Sequence, residues 1–399
     1  MKDRTMKAAI IIERAQIKLG GAERSVSELT EELNRQGVKT RILAASGDTN
    51  DPSLVLLRQN QKEKRTVLAK LEKALTEHLK TNQYDIIHST LPVFAADIYQ
   101  PRGGSYREAM LRNAASYPSK LQRYFKRNLH FLNARRTELI LAEKRLLQKN
   151  QTVVVAALSQ YVRRHFIRHY TLEPDRISVI PNAVRLPEIF ETDAIEDFRN
   201  QIRLSAGLPD RDDWTLYYFA ANNFRLKGLQ ELLTAFARAC QNDTRPKLLA
   251  VTGGDKSKDI YYRLVRNLRI EPFVVFTGSL PDLQLPLAAC DAVVLPTYYD
   301  PSSRVILEAL AAGKPVITTA YNGAAEMIRS GRHGIVVDEP ANIPALTDAL
   351  LYFADSNNRR QAQQAIDEDS LREQVSIVRH GEQIISLYKH ILERKNTTP

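Results

Sequence analysis

In the stretch YYDPSSRVILEALAAGKPVI, residues 298–317, two acids stand eight positions apart, Asp300 and Glu308. From Arg304 to Gly313 the run is apolar nearly all round, and Glu308 is the only acid in it. Taking a carboxylate out of water costs several kcal/mol unless hydrogen bonds replace the solvent, so Glu308 is expected to meet a partner. On a helix rising ~1.5 Å per residue the two acids lie at most about 12 Å apart, with free N–H groups expected around Ser302 and Ser303 between them. A sugar nucleotide carries a hexose diol, a ribose diol and a diphosphate between the two. One acid for each diol and amides for the phosphates would use this spacing fully. The competing reading is an acid at a helix start and a buried glutamate paired with an arginine.

Other stretches offer related chemistry. In KLGGAERSV, Gly20 and Gly21 precede a helix whose first N–H groups could meet an anion, although a plain loop-to-helix turn reads equally well and the pattern is not GxGxxG. In NNFRLKG, Arg225 and Lys227 add cations to the start of another helix, which suits a diphosphate or a solvated loop. HFIRH sets His165 and His169 four apart without the glutamate of a zinc-hydrolase motif, and surface histidines are the expectation. Asp210 and Asp212 in PDRDDW form a D-x-D in a turn-rich linker, where metal binding is not expected. No motif context supports a Ser-His-Asp arrangement.

These residues need elements to hold them. From Trp214 onward, strands are expected at 214–221, 247–253, 273–278, 292–297, 315–320 and 334–338, with helical periodicity between them. The first half repeats the theme at 8–13, 39–45, 84–90 and 152–158, interrupted by a long basic helical region over about 106–149. Alternating strands and helices imply parallel sheets covered by helices, in two doubly wound α/β halves with a cleft between them. Ligands in such sheets bind at the carboxyl ends of the strands. The halves are expected to be 1–185 and 186–374, joined near VIPNAVRLPEIF, where Pro181 and Pro187 break regular structure. A final helix, 375–399, is expected to pack back on the first half.

Composition narrows the class. At 399 residues, 43% hydrophobic and 26% charged, the chain reads as an ordinary soluble protein of about two domains. Two distant cysteines, Cys240 and Cys290, argue against a disulfide framework or cysteine metal site and favour the cytoplasm. No apolar run approaches the roughly 20 residues that span a bilayer, and AAIII is too short for a signal-peptide core. Net charge is +11, and 102–150 alone holds twelve Lys or Arg against Glu108, Glu138 and Glu143.

GGAER opening a helix, RLKG after the first strand of the second half, IPNAV at the hinge, and an acid followed eight residues later by the glutamate of LEALAAGKPVITT together resemble the retaining glycosyltransferases of family 4, with the GT-B fold of two Rossmann-like domains facing each other across a cleft. FAADIYQPRGGSYREAM and RHYTLEPDRISVIPN are similar to the lipopolysaccharide core glucosyltransferase I group. The resemblance implies that Glu308 binds the nucleotide ribose, Asp300 the donor hexose, and Arg225 with Lys227 the diphosphate. It further implies that Gly20 and Gly21 approach the donor phosphate, that Ser279 and Leu280 lie near the base, and that Asp97 assists the acceptor hydroxyl. Without it, Asp97 reads as a turn cap. His88, ending YDIIHST, is expected to face the same cleft as a second group for proton handling. The sequence departs from the family pattern where Asp300 replaces the usual Glu and Pro301 the usual glycine.

The expected function is metal-independent, cofactor-free, retaining transfer of a hexose, glucose first, from a UDP-sugar to a hydroxyl of a membrane-associated glycolipid or lipopolysaccharide core acceptor, a glycan or glycolipid partner. The basic segment 102–150, with Tyr106, Tyr117, Tyr124, Phe125 and Phe131 interleaved, would rest peripherally on an anionic membrane surface. A soluble-acceptor synthase or epimerase of the same architecture is the nearer alternative. A nucleic-acid-binding protein is the remote one, and no RNA or DNA motif supports it.

Overall fold

The computed structural model describes residues 5–16, 20–47, 53–57, 67–129, 132–208, 214–255 and 258–397. The chain forms two compact units. One comprises Met1–Ala114, Lys120–Val184 and Ile377–Pro399, the other Ala115–Ser119 and Arg185–Ser376.

In the first unit β1 (Lys7–Ala15), β2 (Lys39–Gly47), β3 (Leu54–Leu56), β4 (Ile86–Ser89), β5 (Ile98–Tyr99), β6 (Val154–Ala157) and β7 (Ile177–Val179) form a parallel sheet in the order β3-β2-β1-β4-β5-β6-β7. Between them run α1 (Gly21–Arg35), α2 (Leu68–Thr81), α3 (Tyr106–Ala115), α4 (Lys120–Asn128), α5 (Ala134–Lys149) and α6 (Gln160–Tyr170). The second unit begins with α7 (Thr192–Ser205). Its strands are β8 (Thr215–Ala220), β9 (Lys247–Thr252), β10 (Val274–Gly278), β11 (Ala292–Leu295), β12 (Val316–Thr319) and β13 (Gly334–Val337), parallel in the order β10-β9-β8-β11-β12-β13. Its further helices are α8 (Leu229–Asn242), α9 (Lys258–Asn267), α10 (Gln284–Ala289), α11 (Arg304–Ala311), α12 (Ile343–Phe353), α13 (Ser356–Glu368) and α14 (Leu371–Gln374). The last helix, α15 (Ile377–Thr397), belongs to the first unit.

β1 shows why the first sheet is covered on both faces. Ala8, Ile10 and Ile12 pack in a layer with Val26, Leu29 and Leu33 of α1 and Ile384, Tyr388 and Ile391 of α15. Ala9 and Ile11 point the other way, among Leu71 and Leu75 of α2, Leu146 of α5 and Phe166 of α6. A strand buried on both faces reads as the unbroken apolar run AAIII rather than as an alternation.

All ten strands expected from the sequence are present. β3, β5 and β7, two or three residues each, are additions, too short to carry a period. The basic stretch 106–149 divides into α3, α4 and α5, with Pro118 in the first break. Segment 115–119 joins the second unit, a departure from simple halves at residue 185.

Candidate functional site

In each sheet the strand order reverses once, between β1 and β4 and between β8 and β11. At such a point the loops leaving the two strands diverge and open a crevice at the carboxyl ends of the strands. The loops after β8 and β11 carry Lys227 and Asp300.

The loop after β8 is held against the end of β11. Leu226 O accepts hydrogen bonds from Tyr298 N (2.9 Å) and Thr297 Oγ1 (3.2 Å). Phe224 N donates to Asp255 Oδ2 at 2.7 Å. Gly228, at φ 77°, lets the loop pass Pro296, whose carbonyl oxygen would stand 2.0 Å from an added Cβ. Thus fixed, Lys227 Nζ meets Asp300 Oδ2 at 2.5 Å and donates to Tyr299 O at 3.3 Å. Their side chains are 20% and 14% exposed, so this ion pair is partly open to an incoming ligand.

The start of α11 differs from expectation. Asp300 Oδ1 accepts from Ser302 N (3.2 Å) and Asn322 Oδ1 from Ser303 N (3.1 Å), so these amides are engaged rather than free. Asn322, fully buried, also accepts from Ala324 N and donates to Thr318 Oγ1, which ties the end of β12 to the start of α11. Sequence reasoning missed it; its only local signal is the turn dipeptide Asn322-Gly323 shortly after the β12 pattern.

Glu308 is not the deeply buried acid its surroundings suggest. Its side chain is 17% exposed and Oε1 accepts from Arg304 Nη2 at 3.2 Å, one turn back on α11. The buried face of the helix belongs to Val305, Ile306, Leu307, Ala309 and Leu310, while Arg304 and Glu308 share the more open face. The partner is therefore a neighbouring cation, itself 12% exposed, as the competing reading held, but the pair lies at the margin of the core rather than inside it.

Arg225 separates from Lys227. Its guanidinium lies 3.7 Å from the centre of the Tyr117 ring and donates to Ser116 Oγ, both in the segment that joins this unit. Ser279 and Leu280 follow β10, exposed and half-buried, and a Cβ on Gly254 would stand 2.6 Å from Ser279 Oγ. Gly254 therefore permits the loops after β9 and β10 to touch.

In the first unit Gly20 and Gly21 open α1 after β1, half-buried and exposed. Two expectations there are corrected. Asp97 precedes β5 and so lies at the amino edge of the sheet. Its Oδ2 accepts from Ile87 N (2.8 Å) and its Oδ1 meets Lys395 Nζ at 2.7 Å, which makes it an anchor for α15 rather than a group at the carboxyl edge. His88, 1% exposed, faces α15, where Nδ1 lies 2.8 Å from Tyr388 Oη. Burial, with Arg102 and His380 nearby, pushes its pKa down to about 3, so the ring is neutral near neutral pH and closed to solvent.

The FAAD segment does reach the carboxyl edge, but through Arg102 and the glycines after it. Arg102 Nη1 lies 3.4 Å from Asn182 Oδ1, which also accepts from Ser25 Oγ at 3.4 Å, so the IPNAV hinge is tied to α1 and to the loop after β5. Glu143 holds the rest of that loop. Fully buried, it accepts from Ser105 Oγ (3.2 Å), Tyr106 N (3.1 Å), Tyr99 Oη (2.8 Å) and Tyr170 Oη (2.5 Å). In the sequence it passes as one acid among the charges of a basic helix.

The histidines of HFIRH are not surface residues. His165 is 5% exposed, and Glu108 meets His169 Nε2 at 2.6 Å and His165 Nε2 at 3.6 Å. Among the described residues no group of three or more His, Cys, Asp or Glu could hold a metal ion; Asp210, Asp212 and Phe131 lie outside them.

Two family models match the chain, "Glycosyltransferase Family 4" over residues 19–187 and "Glycosyl transferases group 1" over 201–389. The lipopolysaccharide glucosyltransferase WaaG of Escherichia coli (strain K12) is similar at 24% identity over 334 residues, 83% of this chain and 85% of that protein. The crystal structure of WaaG, described as a glycosyltransferase involved in lipopolysaccharide biosynthesis, superposes with a TM-score of 0.76 at 21% identity, covering 95% of this chain and 99% of that one. Anabaena Alr3699/HepE, crystallised with UDP-glucose, gives 0.67 at 19% identity, covering 96% and 100%. These likenesses establish two α/β units of the GT-B fold. Matched through both of its halves by glycosyltransferase models, family 4 in the first and group 1 in the second, the chain is a glycosyltransferase of the GT-B type.

Proposed function

We propose that the protein is a retaining hexosyltransferase that moves glucose from UDP-glucose to a hydroxyl of a membrane-associated glycolipid of the lipopolysaccharide core type. The observation that carries this reading is the pairing of Lys227 with Asp300 at the β8/β11 switch point, beside the Arg304–Glu308 pair on the helix after it. A donor diphosphate would draw Lys227 from Asp300. Negative charge grows on the leaving diphosphate in the transition state, and the ammonium would stabilise it there. Asp300, released, would accept from hexose hydroxyls, and Glu308 would accept from the ribose diol. Neutralisation by protein cations makes no demand on a metal ion, and EDTA is expected to leave turnover unchanged. The glucosyl donor is supported by the names of WaaG and of the UDP-glucose complex of HepE, and the acceptor class by WaaG.

The place of action is the cytoplasmic face of a membrane. No described helix is long and apolar enough to cross one, yet α4 has no buried residue and exposes Leu121, Tyr124 and Phe125 among Lys120, Arg123, Lys126 and Arg127. Such a helix suits the interface of an anionic bilayer.

A panel of nucleotide sugars scored by thermal shift and slow hydrolysis tests the donor site. UDP-glucose is expected to stabilise the protein and Glu308→Ala to abolish the shift. A shift of undiminished size in that variant would refute the ribose assignment. Product analysis with glycolipid and soluble acceptors separates the transferase from a synthase of the same fold.

A further inference from the structure

The turn after β12 holds the acid of the proposed donor site. Asp300 N donates to Tyr321 O at 3.0 Å and Asp300 O accepts from Gly323 N at 2.9 Å, so the two neighbours of Asn322 fix the backbone of Asp300 on both sides. Between them the Asn322 side chain reaches the residue before α11, where Oδ1 accepts from Ser303 N at 3.1 Å. The same oxygen accepts from Ala324 N at 3.1 Å. The amide can stand only one way round. Thr318 Oγ1, fully buried, gives its single hydrogen to Leu295 O at 2.9 Å and can only accept from Asn322 Nδ2, at 3.0 Å. A reversed amide would set oxygen against oxygen at Thr318 and N–H against N–H at Ser303 and Ala324, leaving buried groups unpaired. Position therefore passes from Leu295 in β11 through Thr318 in β12 and Asn322 to the turn 300–303. Asn322 is 1% exposed, so it meets no ligand itself and can act only through what it holds.

We propose that Asn322 is a positioning residue for sugar transfer: it fixes the turn 300–303 so that the Asp300 carboxylate stands where it can exchange Lys227 for hexose hydroxyls. This role rests on the donor-site reading above and adds to it what holds the acid in place. The carboxylate takes Ser302 N at 3.2 Å on Oδ1 and Lys227 Nζ at 2.5 Å on Oδ2. A donor that draws off Lys227 leaves it the bond from Ser302 N, next to the Ser303 N–H that Asn322 holds. A misplacement of about 1 Å in a group that orients substrate can cost ~100-fold in rate.

The test is a double-mutant cycle on the full-length protein, read as kcat and KM for slow UDP-glucose hydrolysis and as thermal shift with UDP. Asn322→Ala is expected to lower kcat/KM about tenfold, mostly in kcat, while the shift with UDP, which lacks the hexose, stays as in the parent. In an Asp300→Ala background the further change Asn322→Ala should cost less than about twofold, because the group it acts through is gone. Thr318→Val keeps the shape of the strand residue but removes the acceptor that sets the amide, and should show the same pattern at about threefold. It decides the matter if Asn322→Ala does not fold. A merely structural loss would weaken the UDP shift as well and would multiply with Asp300→Ala rather than vanish in it. Parental kcat/KM in Asn322→Ala, or in Thr318→Val where that variant decides, or losses that multiply, would overturn the proposal. Parental turnover in Asp300→Ala would instead overturn the donor-site reading, and this role with it.

Discussion

Glu143 and Glu308 are both helical acids, and the fold treats them in opposite ways. Glu308 stays at the margin beside Arg304, where an arriving ligand could exchange with the cation. Glu143 is sealed in, and burial outweighs its four hydrogen bonds, so that its pKa rises from 4.5 to about 7. A raised carboxyl pKa means that the fold favours the protonated form more than the unfolded chain does. The associated stability is complete below about pH 4.5 and is lost as pH climbs toward 7. Glu143→Gln, neutral at every pH, should therefore be more destabilising at pH 5 than at pH 8, with the gap on the order of a few kcal/mol at most. Urea unfolding at both pH values measures it, and an identical penalty at the two would contradict the assignment. Nothing in LAEKRLL distinguishes Glu143 from a solvated acid, since its donors come from residues 37 to 44 positions earlier and 27 later.

At the scale of elements, the long strands were legible because burial on both faces writes itself as runs such as AAIII and WTLYYFAA. The loops were legible only as motifs. RLKG announces a glycine after a lysine, but not that Gly228 must slide past the Pro296 carbonyl for Lys227 to meet Asp300, 73 residues on. Gly228→Ala should displace the loop, since φ 77° strains an L-residue and the new Cβ would overlap Pro296 O. The expected result is a fall in kcat/KM of about tenfold or more with a loss of about 1–3 kcal/mol in stability. An alanine variant with parental turnover and melting would show that the loop does not position the lysine. FAAD misled for a related reason. A two-residue strand such as β5 leaves the edge assignment of its neighbours unmarked, and Asp97 falls on the amino side while Arg102 falls on the carboxyl side.

For the molecule as a whole, the acids of 102–150 are already engaged, two of them inside, which leaves its surface basic. Glu108 and Glu143 are buried, and Glu138 accepts from Leu68 N and Arg135. Binding to vesicles should therefore need anionic lipid, at about 1 kcal/mol per basic residue near the surface, and should fade with added salt. Replacing Leu121, Tyr124 and Phe125 together by serine should weaken it even at low salt, because an interfacial helix also buries its apolar face. Cosedimentation against lipid composition and ionic strength decides, and equal binding to neutral and anionic vesicles would remove the membrane from the account. The sequence by itself determined the α/β class, the two sheets and the family, since hydrophobic period and short motifs are local properties of a chain. Which cation Asp300 meets, and how deep each acid lies, was left to tertiary structure. Asp300 found Lys227 through sheet order, Glu308 stayed at a margin through helix rotation, and His88 was closed off by a helix 300 residues away, because distances across a fold depend on how strands are ordered rather than on how residues are spaced.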